Sequence, residues 1–137
     1  MPDDSQPSEA TVLVLLVEDE AIIHELLEEP LKEAGYEVKT VLSGEDALRE
    51  LDQGSKDIRA IVTDVNLGGK VTGWQVGTRA RELHPEIPVV YMSGASAQEW
   101  SAQGVPNSLM IVKPFAPAQI VTAVSQLLTA STTGTPS

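Results

Sequence analysis

Glu18, Asp19, Glu20, Asp64, Ser93 and Lys113 are the residues of this sequence whose types and surroundings could do chemistry. Each closes or follows an apolar run: "VLVLLV" leads into Glu18-Asp19-Glu20, "AIVTD" ends on Asp64, "VVYMS" on Ser93 and "LMIVK" on Lys113. A carboxylate at the end of a buried run costs free energy unless a charged or hydrogen-bonding group meets it. Whether these side chains meet one another depends on how the runs are assembled.

Five runs of strand length, rich in β-branched residues, recur at 11–17, 36–42, 59–65, 87–93 and 109–113. Helical spacing lies between and after them. In "EAIIHELLEEPLKEAG", Ile23, Leu27, Leu31 and Ala34 form a stripe with Ile22 and Leu26 beside it; Gly35 is placed to stop the helix, and Pro30 should kink it. Ser43 is placed to cap a second helix that ends at Gly54. A third runs from Gly73 towards Pro85, "SAQEWSAQG" makes a short fourth, and "APAQIVTAVSQLL" a fifth with Ile120, Val121, Val124, Leu127 and Leu128 facing inward.

Strand and helix alternating five times predict an α/β fold. Parallel neighbours need right-handed crossovers, so helices cover both faces of the sheet. For five units the common doubly wound arrangement is the flavodoxin-like order 2-1-3-4-5, with the polar second strand at an edge and the first and third adjacent where the winding reverses.

In a parallel sheet all strands end at one edge, so Glu18 and Asp19 should face Asp64, with Ser93 and Lys113 alongside. Three carboxylates in one place repel unless a cation joins them or some take up protons. Mg²⁺ suits such a trio, since it takes oxygen ligands, uses one or two carboxylates, and leaves room for phosphoryl oxygens. Lys113 and Ser93 would supply a positive charge and a hydroxyl donor to those oxygens. Asp64, followed by the permissive Gly68-Gly69 loop, is the candidate nucleophile.

The set "LLVEDE", "IVTDVN", "VVYMSGAS" and "IVKPF", in this order from about residue 11 to about 129, resembles the receiver domain of two-component response regulators. The resemblance implies a phosphoprotein in which Asp64 accepts a phosphoryl group from a histidine kinase or a histidine phosphotransfer protein. It further implies Mg²⁺ held by the side chains of Asp19 and Asp64 and the main-chain carbonyl of Asn66, with Glu18 acting through water. Ser93 and Lys113 would contact the phosphoryl oxygens, and the Lys113–Pro114 bond would be cis. Ile22, His24 and Leu26, with Pro114 and Phe115, would lie near the phosphodonor. Such a protein assists its own phosphorylation and dephosphorylation and turns over no separate substrate.

Two departures from the family stand out. Gly68 occupies the place where receivers commonly carry proline, in a loop one residue longer. Met110 stands three before the lysine, where a Tyr or Phe ring usually switches.

The rest of the sequence narrows the class. Its 137 residues fit one domain over 11–129, with tails at 1–10 and 130–137, and no output domain is expected after 129, so a separate downstream protein would receive the message. A net charge of −11 with nine scattered basic residues argues against nucleic-acid binding. The absence of cysteine excludes disulfides and thiolate chemistry. No apolar run is long enough to span a bilayer and no basic leader is present, which predicts a soluble, cytoplasmic protein without membrane partners. His24 and His84 lack ligand company and are expected at the surface or a boundary, while Trp74 and Trp100 are expected to pack.

Two other classes compete. A Mg²⁺-dependent phosphohydrolase would want a second carboxylate two residues beyond its nucleophile, where Asn66 stands. A pseudo-receiver would keep the fold for constitutive protein binding.

Overall fold

The computed structural model describes residues 11–54 and 57–133; the expected tail at 1–10, and 134–137 of the expected C-terminal one, lie outside the described residues. Strands β1 (Val12–Val17), β2 (Tyr36–Val41), β3 (Ile58–Asp64), β4 (Val89–Ser93) and β5 (Leu109–Val112) alternate with α1 (Ala21–Glu33), α2 (Gly44–Gly54), α3 (Gly73–Leu83), a 3₁₀ turn (Ala97–Glu99) leading into the short α4 (Trp100–Gln103), and α5 (Pro117–Thr133). All strand pairs are parallel and the order is β2-β1-β3-β4-β5. The flavodoxin-like expectation therefore holds.

Side-chain alternation along the strands divides the core in two. Leu15, Val17, Ile61, Val89 and Tyr91 face α2 and α3, where Ala47, Leu51, Trp74, Val76 and Ala80 cover them. Val14, Leu16, Ala60, Val62, Val90 and Met92 face α1 and α5, against Leu27, Leu31, Ile120, Ala123 and Val124. Burying one such aliphatic side chain contributes about 1.5–3 kcal/mol, so each face is held chiefly by its own helices. The second strand alternates between partly buried and exposed residues, as an edge strand does.

Local signals set the helix ends. Ser43 Oγ accepts from the Asp46 amide at 3.0 Å, the expected cap of α2. Gly35, at φ +100°, ends α1 in the left-handed region open to glycine. Thr72 and Gln75 form a reciprocal capping box at the start of α3.

Two expectations need correction. The face that α1 turns to the core carries His24, Leu27 and Leu31, whereas Ala34 is exposed and Ile22 and Leu26 point outward, 71% and 47% exposed. His24 is thus not a surface residue. Pro30, expected to kink α1, lies within it. Finally, α5 continues to Thr133, past the expected domain boundary at 129, because nothing in "LLTASTT" breaks a helix.

Candidate functional site

The carboxyl edge gathers its charged residues through sheet register. Asp64 pairs in register with Met92 and so lies on the α1/α5 side of the sheet; Lys113, two residues beyond Ile111, falls on the same side. Glu18 follows Val17 at the adjacent strand end and reaches the same place. Glu18, Asp19 and Asp64 each offer a carboxylate oxygen, all within 4.8 Å of one another. Lys113 Nζ lies 3.3 Å from Asp64 Oδ2 and 3.7 Å from Glu18 Oε1. Four of the expected residues are thereby brought together.

Their environments differ sharply. Glu18 is fully buried and Asp64 nearly so, while Asp19 is exposed at the rim. The amide of Glu20 donates to Glu18 Oε2 at 3.1 Å, but Oε1 is buried with no hydrogen-bond partner; Lys113 faces it at ion-pair range only. Burial, then the charge of Asp64, pushes the Glu18 carboxyl up to about 7, and Lys113 offsets this only in part. Burial also raises Asp64, against the pull of Lys113 and of the Asn66 amide. Burial disfavours the charge of Lys113, yet Asp64 and Glu18 outweigh it and hold the ammonium charged to higher pH than usual.

Ser93 and Asn66 stand at the margin. Ser93 is buried and its Oγ accepts from the Ser96 amide at 3.0 Å, an engagement with its own loop. By strand alternation from Tyr91, Ser93 falls on the α2/α3 side, opposite Asp64. Asn66 is exposed, with its side-chain amide 3.4 Å from Ser96 Oγ, which links the loops after β3 and β4. The Lys113–Pro114 bond is cis, as expected.

The glycine-bearing loop after Asp64 has definite geometry. Gly68 has φ +77°, and a Cβ there would lie 3.1 Å from Asp19 Oδ2, so the loop backbone closes on the Asp19 carboxylate. Glu45 of α2 accepts from the Lys70 amide at 3.2 Å and steadies the loop from the other side. Gly73 packs directly on the Asp64 carbonyl, and its amide donates to the Val65 carbonyl at 2.9 Å.

The sequence signature of the response regulator receiver domain matches residues 14–125. The chain belongs to the response regulator receiver family. Members of this family are the phosphorelay components of two-component systems, and they act with histidine kinases and downstream effectors. A crystal structure of a response regulator receiver protein from Sinorhizobium medicae superimposes with a TM-score of 0.86 at 45% identity, over 90% of this chain and 98% of that one. The transcriptional regulatory protein PrrA of Mycobacterium tuberculosis is 33% identical over 117 residues, which make up 84% of this chain and 49% of PrrA. The chain thus spans about half the length of these curated relatives. The receiver domain of the sensor histidine kinase PA1611 from Pseudomonas aeruginosa, which holds a magnesium ion in its active-site cleft, shares the fold at TM-score 0.73 and 22% identity, over 88% of this chain and 99% of that one.

The surroundings of other side chains depend on contacts that the sequence does not record. His24 packs inward and its Nε2 bonds the main-chain carbonyl of Glu18; its spacing from Leu27 and Leu31, three and seven residues on, is the signal that places it on their face. Tyr91 is fully buried, its ring 4.8 Å from that of Trp74, and its Oη accepts from the Val105 amide at 3.1 Å. Met110 is in register with Tyr91 and packs against that same cluster, in the row where the family's switching ring would lie. Trp100 donates through Nε1 to Ser108 Oγ at 2.9 Å.

Proposed function

We propose that this receiver takes a phosphoryl group from a phosphohistidine donor onto Asp64 with the help of Mg²⁺, and signals by binding partners differently in its two states. The observation that carries the reading is the convergence of three carboxylate oxygens within 4.8 Å beside a lysine ammonium, at one end of the central strands. The set fits a hard cation: every donor is oxygen, the site is open at Asp19, and the buried Glu18 Oε1 has no hydrogen-bond partner. Asp19, Asp64 and the Asn66 carbonyl would hold the ion directly, with Glu18 behind a water. When bound, Mg²⁺ would neutralise charge on the carboxylates and on the phosphoryl oxygens.

The chain's own groups do the rest. An Asp64 oxygen forms the new P–O bond as the donor's P–N bond breaks, with the electron pair returning to the donor imidazole. Lys113 neutralises the growing negative charge from 3.3 Å away. Ser93 Oγ accepts from the Ser96 amide, which leaves its hydroxyl proton free to donate to a phosphoryl oxygen. Ile22 and Leu26, exposed on α1, and Pro114, exposed at the start of the loop after β5, form the face for the phosphodonor; Phe115 is half-buried and His24 is excluded by its burial. A cytoplasmic location is the natural setting for a histidine kinase's phosphorylation partner. No described helix is long and apolar enough to cross a membrane.

A second reading, a pseudo-receiver that binds a partner constitutively, is favoured by Met110 in place of the switching ring. Intact mass after incubation with a small acyl phosphate separates the two. A gain of one phosphoryl group that needs Mg²⁺ and vanishes in Asp64→Asn supports phosphoacceptance. A folded wild type that gains nothing in the presence of Mg²⁺ leaves the pseudo-receiver.

A further inference from the structure

His24 is 8% exposed and its side chain makes one hydrogen bond, from Nε2 to the main-chain carbonyl of Glu18. A carbonyl can only accept, so the proton sits on Nε2; Nδ1 is buried without a partner. An apolar side chain would suit the Leu27–Leu31 face of α1 without leaving a nitrogen unsatisfied, so the imidazole is costly there unless its one bond matters. That bond completes the immobilisation of Glu18. The Glu18 amide donates to the Val41 carbonyl of β2 at 3.1 Å, its carbonyl is held by His24, and its Oε2 accepts from the Glu20 amide.

We infer that His24 is a positioning residue for the acidic pair: by anchoring the Glu18 carbonyl to α1 it fixes the turn from which Glu18 and Asp19 present oxygens to a divalent cation. The inference rests on the Mg²⁺ reading above and extends it to a residue that touches neither cation nor phosphate. Without the tie, the turn between β1 and α1 keeps its β2 contact, its local bonds and the Lys113 ion pair but loses its side-chain anchor to α1, and the carboxylates must be ordered further at the moment of binding. Residues that orient metal ligands from behind typically change affinity by roughly 10- to 100-fold when removed.

The test compares His24→Gln, which keeps an amide donor at similar reach, with His24→Met, similar in length but without a donor. Mg²⁺ affinity of the whole protein is read by calorimetry with no phosphodonor present, and urea midpoints are measured in parallel. The expected result is roughly tenfold weaker binding or more in the Met variant and largely restored binding in the Gln variant. Equal affinity in wild type and Met variant overturns the inference and leaves the Mg²⁺ reading intact; a wild type that binds no Mg²⁺ overturns both. If the Met variant does not fold, long-range ¹⁵N correlation spectra of the wild-type imidazole decide the matter. Protonation at Nε2 with ring shifts on adding Mg²⁺ supports the tie, and a proton on Nδ1 alone overturns it.

Discussion

Lys113 meets Asp64 across the carboxyl edge of the sheet, Nζ to Oδ2 at 3.3 Å, in the space where a divalent cation would lie against the same carboxylate. On the proposed function, ammonium and cation would compete for Asp64 while both assist phosphoryl transfer. Lys113→Ala should bind Mg²⁺ about tenfold more tightly, since removing a like charge at this range is worth on the order of 1 kcal/mol or more. The same variant should be labelled by a small acyl phosphate roughly a hundredfold more slowly. Calorimetry and the rate of mass gain check the two halves separately. A parallel loss of both would show that the lysine acts only by holding the fold.

The carboxyl of Glu18 lies at about 7, against 4.5 for an ordinary glutamate, so without metal the folded chain keeps a proton that the unfolded chain has lost. Stability from this group is full below about pH 4.5 and falls as pH rises through about 7. Melting temperature without metal should therefore be higher near about pH 5.5 than near about pH 8, and added Mg²⁺ should raise it more at the higher pH. Glu18→Gln should flatten this dependence while weakening Mg²⁺ binding. An unchanged slope in that variant would assign the effect to other carboxylates.

Gly68 has φ +77° and its missing side chain would point at Asp19. Gly68→Ala should lose about 1–2 kcal/mol of stability from the left-handed backbone. It should also weaken Mg²⁺ binding by crowding Asp19 Oδ2, 3.1 Å from the new Cβ. Proline, common here in receivers, fixes φ near −65° and cannot enter this loop without rebuilding it. Urea midpoints and Mg²⁺ titration of the Ala variant test both effects.

Gly77 leaves room for the Tyr91 ring; a Cβ at position 77 would overlap Tyr91 Oη and crowd the ring carbons. Gly77→Ala should cost roughly 1–3 kcal/mol by overpacking. Tyr91→Phe removes the overlapping atom, so the double variant should lose less than the sum of the two singles in denaturant unfolding. Strict additivity would show that the helix shifts instead of the ring.

Much of this molecule could be read from sequence because it rests on short-range regularities. Apolar runs of strand length, helical spacing between them and stop signals such as Gly35 fix the alternation, and alternation with crossover chirality fixes the sheet order. Once the order is known, Glu18, Asp19, Asp64 and Lys113 must meet, since strand ends are neighbours whatever their separation along the chain. The features missed depend on which partner a side chain finds in space. The sequence allows His24 a surface or a boundary position because an imidazole is as often wet as buried, and only the Glu18 carbonyl that its Nε2 meets decides the matter. Likewise the Gly77–Tyr91 fit joins a helix to a strand fourteen residues on, and no local propensity records it.

Tyr91 and Met92 are consecutive in β4 yet belong to different cores, and the two sets of buried residues share no member. Asp64 lies in Met92's row and Ser93 one step past it, so the two sit on opposite sides of the same sheet. A group held between Asp64 and Ser93 would act as a crosslink, joining two separately packed halves that otherwise exchange strain only through the backbone between them. A partner resting on α1 and α5 and another resting on α3 and α4 would then sense one event from opposite sides.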